Sequence, residues 1–295
     1  MSTAAAPTAP PRRDNAFLAF VRAQPVGAAC LAFIIVLVVA SLFAERIVPH
    51  DPLAIDFGEL LSPPSASHPF GTDNMGRDVF SRVVYGARTA LIIGILSSLL
   101  GSVVGGLIGV VQGYFGGRFD FYMSRFIDIL LSFPIIVLAV VVVAMLGKRV
   151  VLGVDMNLVI AIAIPIVPKV ARVVRSAALS IREMPYIDAA RAAGYSHARI
   201  VLRHMVPNVF APFLIMFTAF VAQAILLEAS LSFLGLGVTE PTPAWGLMLS
   251  GNAADFYREA PWMILFPGLA ISLSVFAFNL FGDALRDHLD PRFKV

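Results

Sequence analysis

The chain has 295 residues, 58% hydrophobic and 14% charged, with a formal net charge of +3 and a mean hydropathy of +0.84. A soluble domain carries about 25% charged residues, so a chain this apolar is expected in a membrane, and its mild basic excess points to no nucleic acid. The single cysteine, Cys30, excludes an intrachain disulfide and a cysteine-based metal cluster.

Residues 1–15 read as an Ala/Pro-rich stretch without fixed structure, within an N-terminal tail over 1–22. The run from Ala23 to Ala44 carries no charge for 22 residues, which suits a retained span better than a signal peptide. One transmembrane domain is expected over 23–295. At about 20 apolar residues per crossing, six helical spans fall near 26–46, 89–112, 126–147, 156–177, 209–234 and 261–282. The fold class is therefore an all-α membrane protein with a long loop at 49–88 and a polar one at 178–208. No charge is expected at mid-span: Lys169, Arg172 and Arg175 are read as snorkelling from the fourth span, which Pro165 and Pro168 should kink.

Six spans place both termini on one side. With the termini inside, the inner segments hold fifteen Lys and Arg and the outer segments seven, so the positive-inside rule puts the N- and C-termini in the cytoplasm. The loop at 49–88 is then outside, with Asp73, Arg77, Asp78 and Arg82 mixing both signs and Asp78 spaced to pair with Arg82. In the second span Gly101, Gly105 and Gly109 recur every four residues, a face for close helix packing or for an opening pathway. Glu228 ends the fifth span, followed by Ser230 and Ser232; it can attract a substrate amine or serve only to bond locally. Trp245 and Trp262 read as anchors at the outer interface.

The segment 185–207, PYIDAARAAGYSHARIVLRHMVP, differs from its apolar surroundings. Pro185 suits a first helical turn, Gly194 the position after a helix end, and Ser196 the cap of a second helix over about 197–206 that Pro207 closes. Periodicity alone fits equally a pair of helices on lipid headgroups and a docking loop.

The residue pattern separates the two. Asp188-Ala189-Ala190, three residues, Gly194, nine residues, then His204-x-Val206-Pro207 resembles the EAA loop of bacterial ABC importer permeases, Glu-Ala-Ala-x3-Gly-x9-Ile-x-Leu-Pro. Asp188, His204 and Val206 replace Glu, Ile and Leu. HPFGTDNMGRDVFSRVVYGAR at 68–88 and LEASLSFLGLGVTEPTPAWG at 227–246 resemble the C-type membrane subunit of the dipeptide, oligopeptide and nickel importers, with Ala244 where Ser is usual. The resemblance implies a permease core in the bacterial inner membrane, paired with a homologous B-type permease. It implies a cytoplasmic coupling loop docked on two separate ATP-binding subunits, and an extracytoplasmic solute-binding protein received near Asp73, Arg77, Asp78 and Arg82. Peptides are the implied cargo, with nickel, glutathione or another small solute as alternatives.

No G-x-x-x-x-G-K-[ST] occurs; the Gly147-Lys148 pair is followed by Arg149. ATP and Mg²⁺ are therefore expected on partner chains. No H-E-x-x-H occurs and all five histidines fall outside the spans, so no catalytic or metal residues are assigned. A secondary transporter or channel, the remoter alternative, has no use for the 185–207 loop.

Overall fold

A computed structural model describes residues 16–151 and 153–289. The expected unstructured stretch 1–15 lies outside these residues. In the rest of the tail, α1 spans Ala16–Ala23. Pro25 opens α2, Pro25–Leu42, where its missing N–H costs nothing, and a short α3, Ala44–Ile47, follows. The segment 48–78 folds over this end of the molecule without regular structure and delivers the chain to α4, Val79–Phe115. At 1.5 Å per residue, the 37 residues of α4 exceed the roughly 30 Å a bilayer core requires, so α4 projects beyond the 89–112 span.

The third expected span is not one straight helix. α5, Gly117–Ser132, and α6, Ile135–Leu146, meet at 95°. Pro134 forces the preceding Phe133 out of the helical region, to φ −84° and ψ 137°, and no helix can pass through that residue. A two-stranded hairpin, β1 Val150–Val151 and β2 Val154–Asp155, leads to α7, Met156–Ala163, capped by the Asp155 carboxylate. α8, Val167–Arg182, continues the fourth span at 47° to α7, the kink that Pro165 and Pro168 forecast.

The loop segment supplies α9, Pro185–Ala192, and α10, His197–Ile200. Pro207 does not close a separate helix after α10. Residues Val201–Met205 form a π-helical turn that leads without interruption into α11, Val206–Phe233. The wider turn accommodates the proline ring, which would clash with the Arg203 carbonyl in a regular helix, and Asn208 Nδ2 donates to the His204 carbonyl at 2.6 Å. Short helices α12, Trp245–Leu249, and α13, Asn252–Asp255, precede α14, Trp262–Leu289. Among the described residues four helical stretches are long and apolar enough to cross a membrane alone, and up to six crossings result when each bent pair is one span.

α4 is the axis of the bundle. One side packs on α7 and α8, the other on α11 and α2. The glycines spaced four apart face α7 and α8. A Cβ on Gly101 would lie 2.9 Å from the Ala163 carbonyl, one on Gly105 2.5 Å from the Val167 carbonyl, and one on Gly109 2.6 Å from the Ala171 carbonyl. Backbone contact this close draws the two helices together without a hydrophobic driving force, and it identifies the glycine row as an intrachain packing face.

Both tryptophans, read as interfacial anchors, are bonded within the protein. Trp245 is buried, donates from Nε1 to the Val83 carbonyl at 2.8 Å and fills the space left by Gly86. Trp262 donates to the Thr72 carbonyl at 2.9 Å, and Phe70 stacks on Phe266 nearby, so both indoles pin the 48–78 segment and the 245–262 region to the bundle.

Candidate functional site: the loop between the fourth and fifth spans

The loop emerges from α8 and is built to hold one shape. α9 ends in a Schellman motif: Tyr195 N donates to the Ala190 carbonyl at 3.1 Å and Gly194 N to the Arg191 carbonyl at 2.9 Å. Gly194 takes φ +75°, a conformation that L-residues with a side chain avoid. Ser196 Oγ accepts from Arg199 N at 3.3 Å and starts α10.

Ile187 and Ala190 turn into the core, while Asp188, Ala189, Gly194 and Pro207 are exposed and His204 and Val206 are half-buried. The Asp188 carboxylate pairs with Arg191 at 3.0 Å on the same turn. The His204 ring lies between Tyr186 and Tyr195, with centroids 6.4 and 6.2 Å away, and Arg199 sits 4.0 Å over the Tyr195 ring. The exposed surface thus combines the short side chain of Ala189 with Met184, Tyr186, Tyr195 and Leu202. Open backbone flanked by apolar side chains suits close approach by another protein.

The loop is fastened to a helix that the sequence reading did not connect with it. Tyr114, in the last turn of α4, lies with its hydroxyl 2.7 Å from His197 Nδ1, and Arg191 stands 5.7 Å over the same ring. Tyr114 is 83 residues from His197, so no local spacing announced the pair.

At the opposite end of the bundle, Asp73, Arg77, Asp78 and Arg82 are 2–8% exposed. They build the surface of the 48–78 segment from beneath and do not themselves present it. Asp78 does not pair with Arg82. It caps α4, accepting from Ser81 N at 2.8 Å, and meets His68 Nδ1 at 2.9 Å. Asp73 receives Arg77 Nε at 2.6 Å, and Glu240, absent from the sequence reading, bridges Arg77 at 2.9 Å and Arg82 at 3.4 Å. Burial, with Arg77 alongside, lowers the Arg82 pKa, and Glu240 and Asp73 oppose that shift. His50 stacks on His68 and bonds to the Ser67 carbonyl; its ring nitrogens, those of His68 and the Asp78 carboxylate bring ligand-type atoms within 4.8 Å, several already in hydrogen bonds.

Glu228, Ser230 and Ser232 do not form one site. Glu228 is fully buried and accepts from Ser232 Oγ at 2.7 Å, while Val238 N donates to the same hydroxyl at 3.0 Å. This chain of bonds shapes the turn after α11. Ser230 lies on another face and donates to the Leu226 carbonyl.

Comparison with known proteins agrees with this architecture. The family described as "Binding-protein-dependent transport system inner membrane component" matches residues 101–295. The chain is 41% identical over 257 residues to the dipeptide transport system permease protein DppC of Alkalihalophilus pseudofirmus, covering 87% of this chain and 83% of that protein. It is 44% identical over 274 residues to the glutathione transport system permease protein GsiD of Shigella flexneri, covering 92% and 88%. Among solved structures, an inward-facing conformation of the MetNI methionine ABC transporter superposes with a TM-score of 0.55 at 19% identity, over 72% of this chain and 98% of that one, which shows a shared fold. The chain belongs to the binding-protein-dependent transport system inner membrane components and is a multi-pass permease subunit of the ABC importer type.

Proposed function

We propose that this chain forms half of a peptide pathway through the bacterial inner membrane and that the 185–207 loop receives the force of ATP hydrolysis from separate subunits. A homologous B-type permease supplies the other half, two ATPases dock at the loop, and a solute-binding protein delivers cargo to the opposite face. Both termini then lie in the cytoplasm, the side that the Lys and Arg count favours even without Lys169, by fourteen to seven.

The observation that carries this reading is how firmly an exposed loop is fastened: the Schellman turn at Gly194, the cap at Ser196 and the Tyr114–His197 bond hold a docking surface in one shape. A pushed loop so fastened moves α4, α8 and α11 together, a rigid-body change that biases the two facing states. Cargo follows from the relatives, whose names specify dipeptides in one case and glutathione in another. Glutathione is the second reading. The decisive assay reconstitutes the complex in liposomes with its own binding protein and compares ATP-dependent uptake of labelled dipeptides and glutathione; uptake of dipeptides supports the first reading, glutathione alone the second.

A further inference from the structure

We propose that Lys169 holds the negatively charged end of the cargo in transit, the terminal carboxylate of a peptide. This rests on the reading of the chain as a peptide permease and names the group that its pathway recognises.

Lys169 lies where the sequence reading expected no charge. Gly101 of α4 packs on Ala163 and Ile166, and Gly109 packs on Ala171 and Arg175, so Lys169 sits between these levels inside the 89–112 span. Its Nζ is 3.4 Å from Gln223 Oε1 and 5.9 Å from the centroid of the Phe220 ring, both midway along α11. The ammonium is therefore at membrane depth and does not reach the interface.

Two neighbouring cations are neutralised. Arg172 pairs with Asp128, and Arg175 holds Asp120 at 2.5 Å. Among the described residues no carboxylate lies within 4 Å of Lys169. An unpaired charge at this depth is costly against lipid and marks a hydrated path.

The surroundings fit that path. Lys169, Arg172, Ser176 and Ser180 recur at three- and four-residue spacing along a face of α8 that remains at least partly exposed. One turn beyond Lys169, this face borders a cavity of about 580 Å³ lined by Asp120, Arg125, Asp128, Arg172 and Arg175. A polar helix face opening on a charged cavity suits water and a soluble cargo better than acyl chains.

The chemistry selects an anion. Lysine offers a compact point charge on a flexible stem, without the bidentate fork of arginine, and a transport station must release what it binds. The Gln223 amide adds N–H donors beside the ammonium. Glu228 is sealed within the protein and offers nothing to a peptide amine, and Asp120 and Asp128 are already held by Arg175 and Arg172.

The test uses the assembled complex in liposomes with its binding protein, ATP, and tritiated dialanine or, in a parallel arm, tritiated glutathione. Phe220 is replaced by the photoreactive p-benzoylphenylalanine, and illumination during turnover is followed by counting label on this chain. The expected result is labelling that Lys169→Gln reduces at least tenfold together with uptake, with the complex recovered in normal yield, and that Lys169→Arg largely restores. Uptake without label on this chain overturns the proposal, as does equal labelling in Lys169→Gln. Failure of Lys169→Gln to assemble, with Lys169→Arg assembling normally, also overturns it and makes Lys169 the partner of an acid on the second permease. Absence of uptake of either compound by the unsubstituted complex overturns the peptide reading itself, and this proposal with it.

Discussion

The Tyr114 hydroxyl and His197 Nδ1 lie 2.7 Å apart, joining the last turn of α4 to the first residue of α10. Tyr114 is buried against Phe115 and His197, so Tyr114→Phe keeps the ring and removes only the bond. The expected loss is about 1 kcal/mol. Hydrogen exchange of the amides at 186–200 should accelerate in Tyr114→Phe, and peptide uptake per ATP hydrolysed should fall. Unchanged exchange across that segment would show that the bond does not hold the loop.

Gly194→Val tests the loop at its most constrained point. A Cβ built at Gly194 meets nothing within 4 Å, so the penalty comes from φ +75° and not from a clash. A left-handed conformation costs an L-residue roughly 1–2 kcal/mol, and more with β-branching. The variant should assemble less well with its ATPases or hydrolyse ATP without transport, whereas Gly194→Asn, which tolerates this region, should retain most uptake. Wild-type uptake in the valine variant would contradict the docking role.

Glu240 joins two buried arginines, Arg77 of the 48–78 segment and Arg82 in the first turn of α4. Glu240→Gln keeps the shape and removes the charge that Arg77 and Arg82 share. Because the Glu240 side chain is half exposed, water replaces part of the loss, and about 1–2 kcal/mol is expected. The purified complex should melt several degrees lower, with the binding protein's contribution to uptake reduced. An unaltered melt would show that Asp73 alone satisfies the pair.

Asp120 accepts from Nε and Nη2 of Arg175 and from Ser124 Oγ. Asp120→Asn keeps the shape and removes the charge that neutralises Arg175, so the purified complex should melt at a lower temperature at neutral pH. An unaltered melt would remove this ion pair from the account.

Features set by adjacent residues were legible before the structure. The kink at Pro165 and Pro168, the left-handed Gly194 and the cap at Ser196 each follow from one residue's backbone chemistry. Features that join distant segments were not. Asp78 and Arg82 had the spacing of a helical pair, yet Asp78 lies at the helix cap and Arg82 reaches Glu240, 158 residues away. Trp245 looked like an interfacial anchor because its composition fits both settings, and only the carbonyl of Val83 decided for burial. Lys169 was assigned to the interface on the assumption that its stem could snorkel; the close packing of α8 on the α4 glycines fixes it deeper.

The central claim is that the exposed face of residues 185–207 docks on a nucleotide-hydrolysing partner. The most direct measurement introduces a photocrosslinker at Ala189 in the complete complex in native membranes and identifies what it captures. The account predicts capture of an ATP-binding subunit, with a yield that changes between nucleotide-free and ATP-trapped states. Capture of lipid alone, in both states, would contradict it.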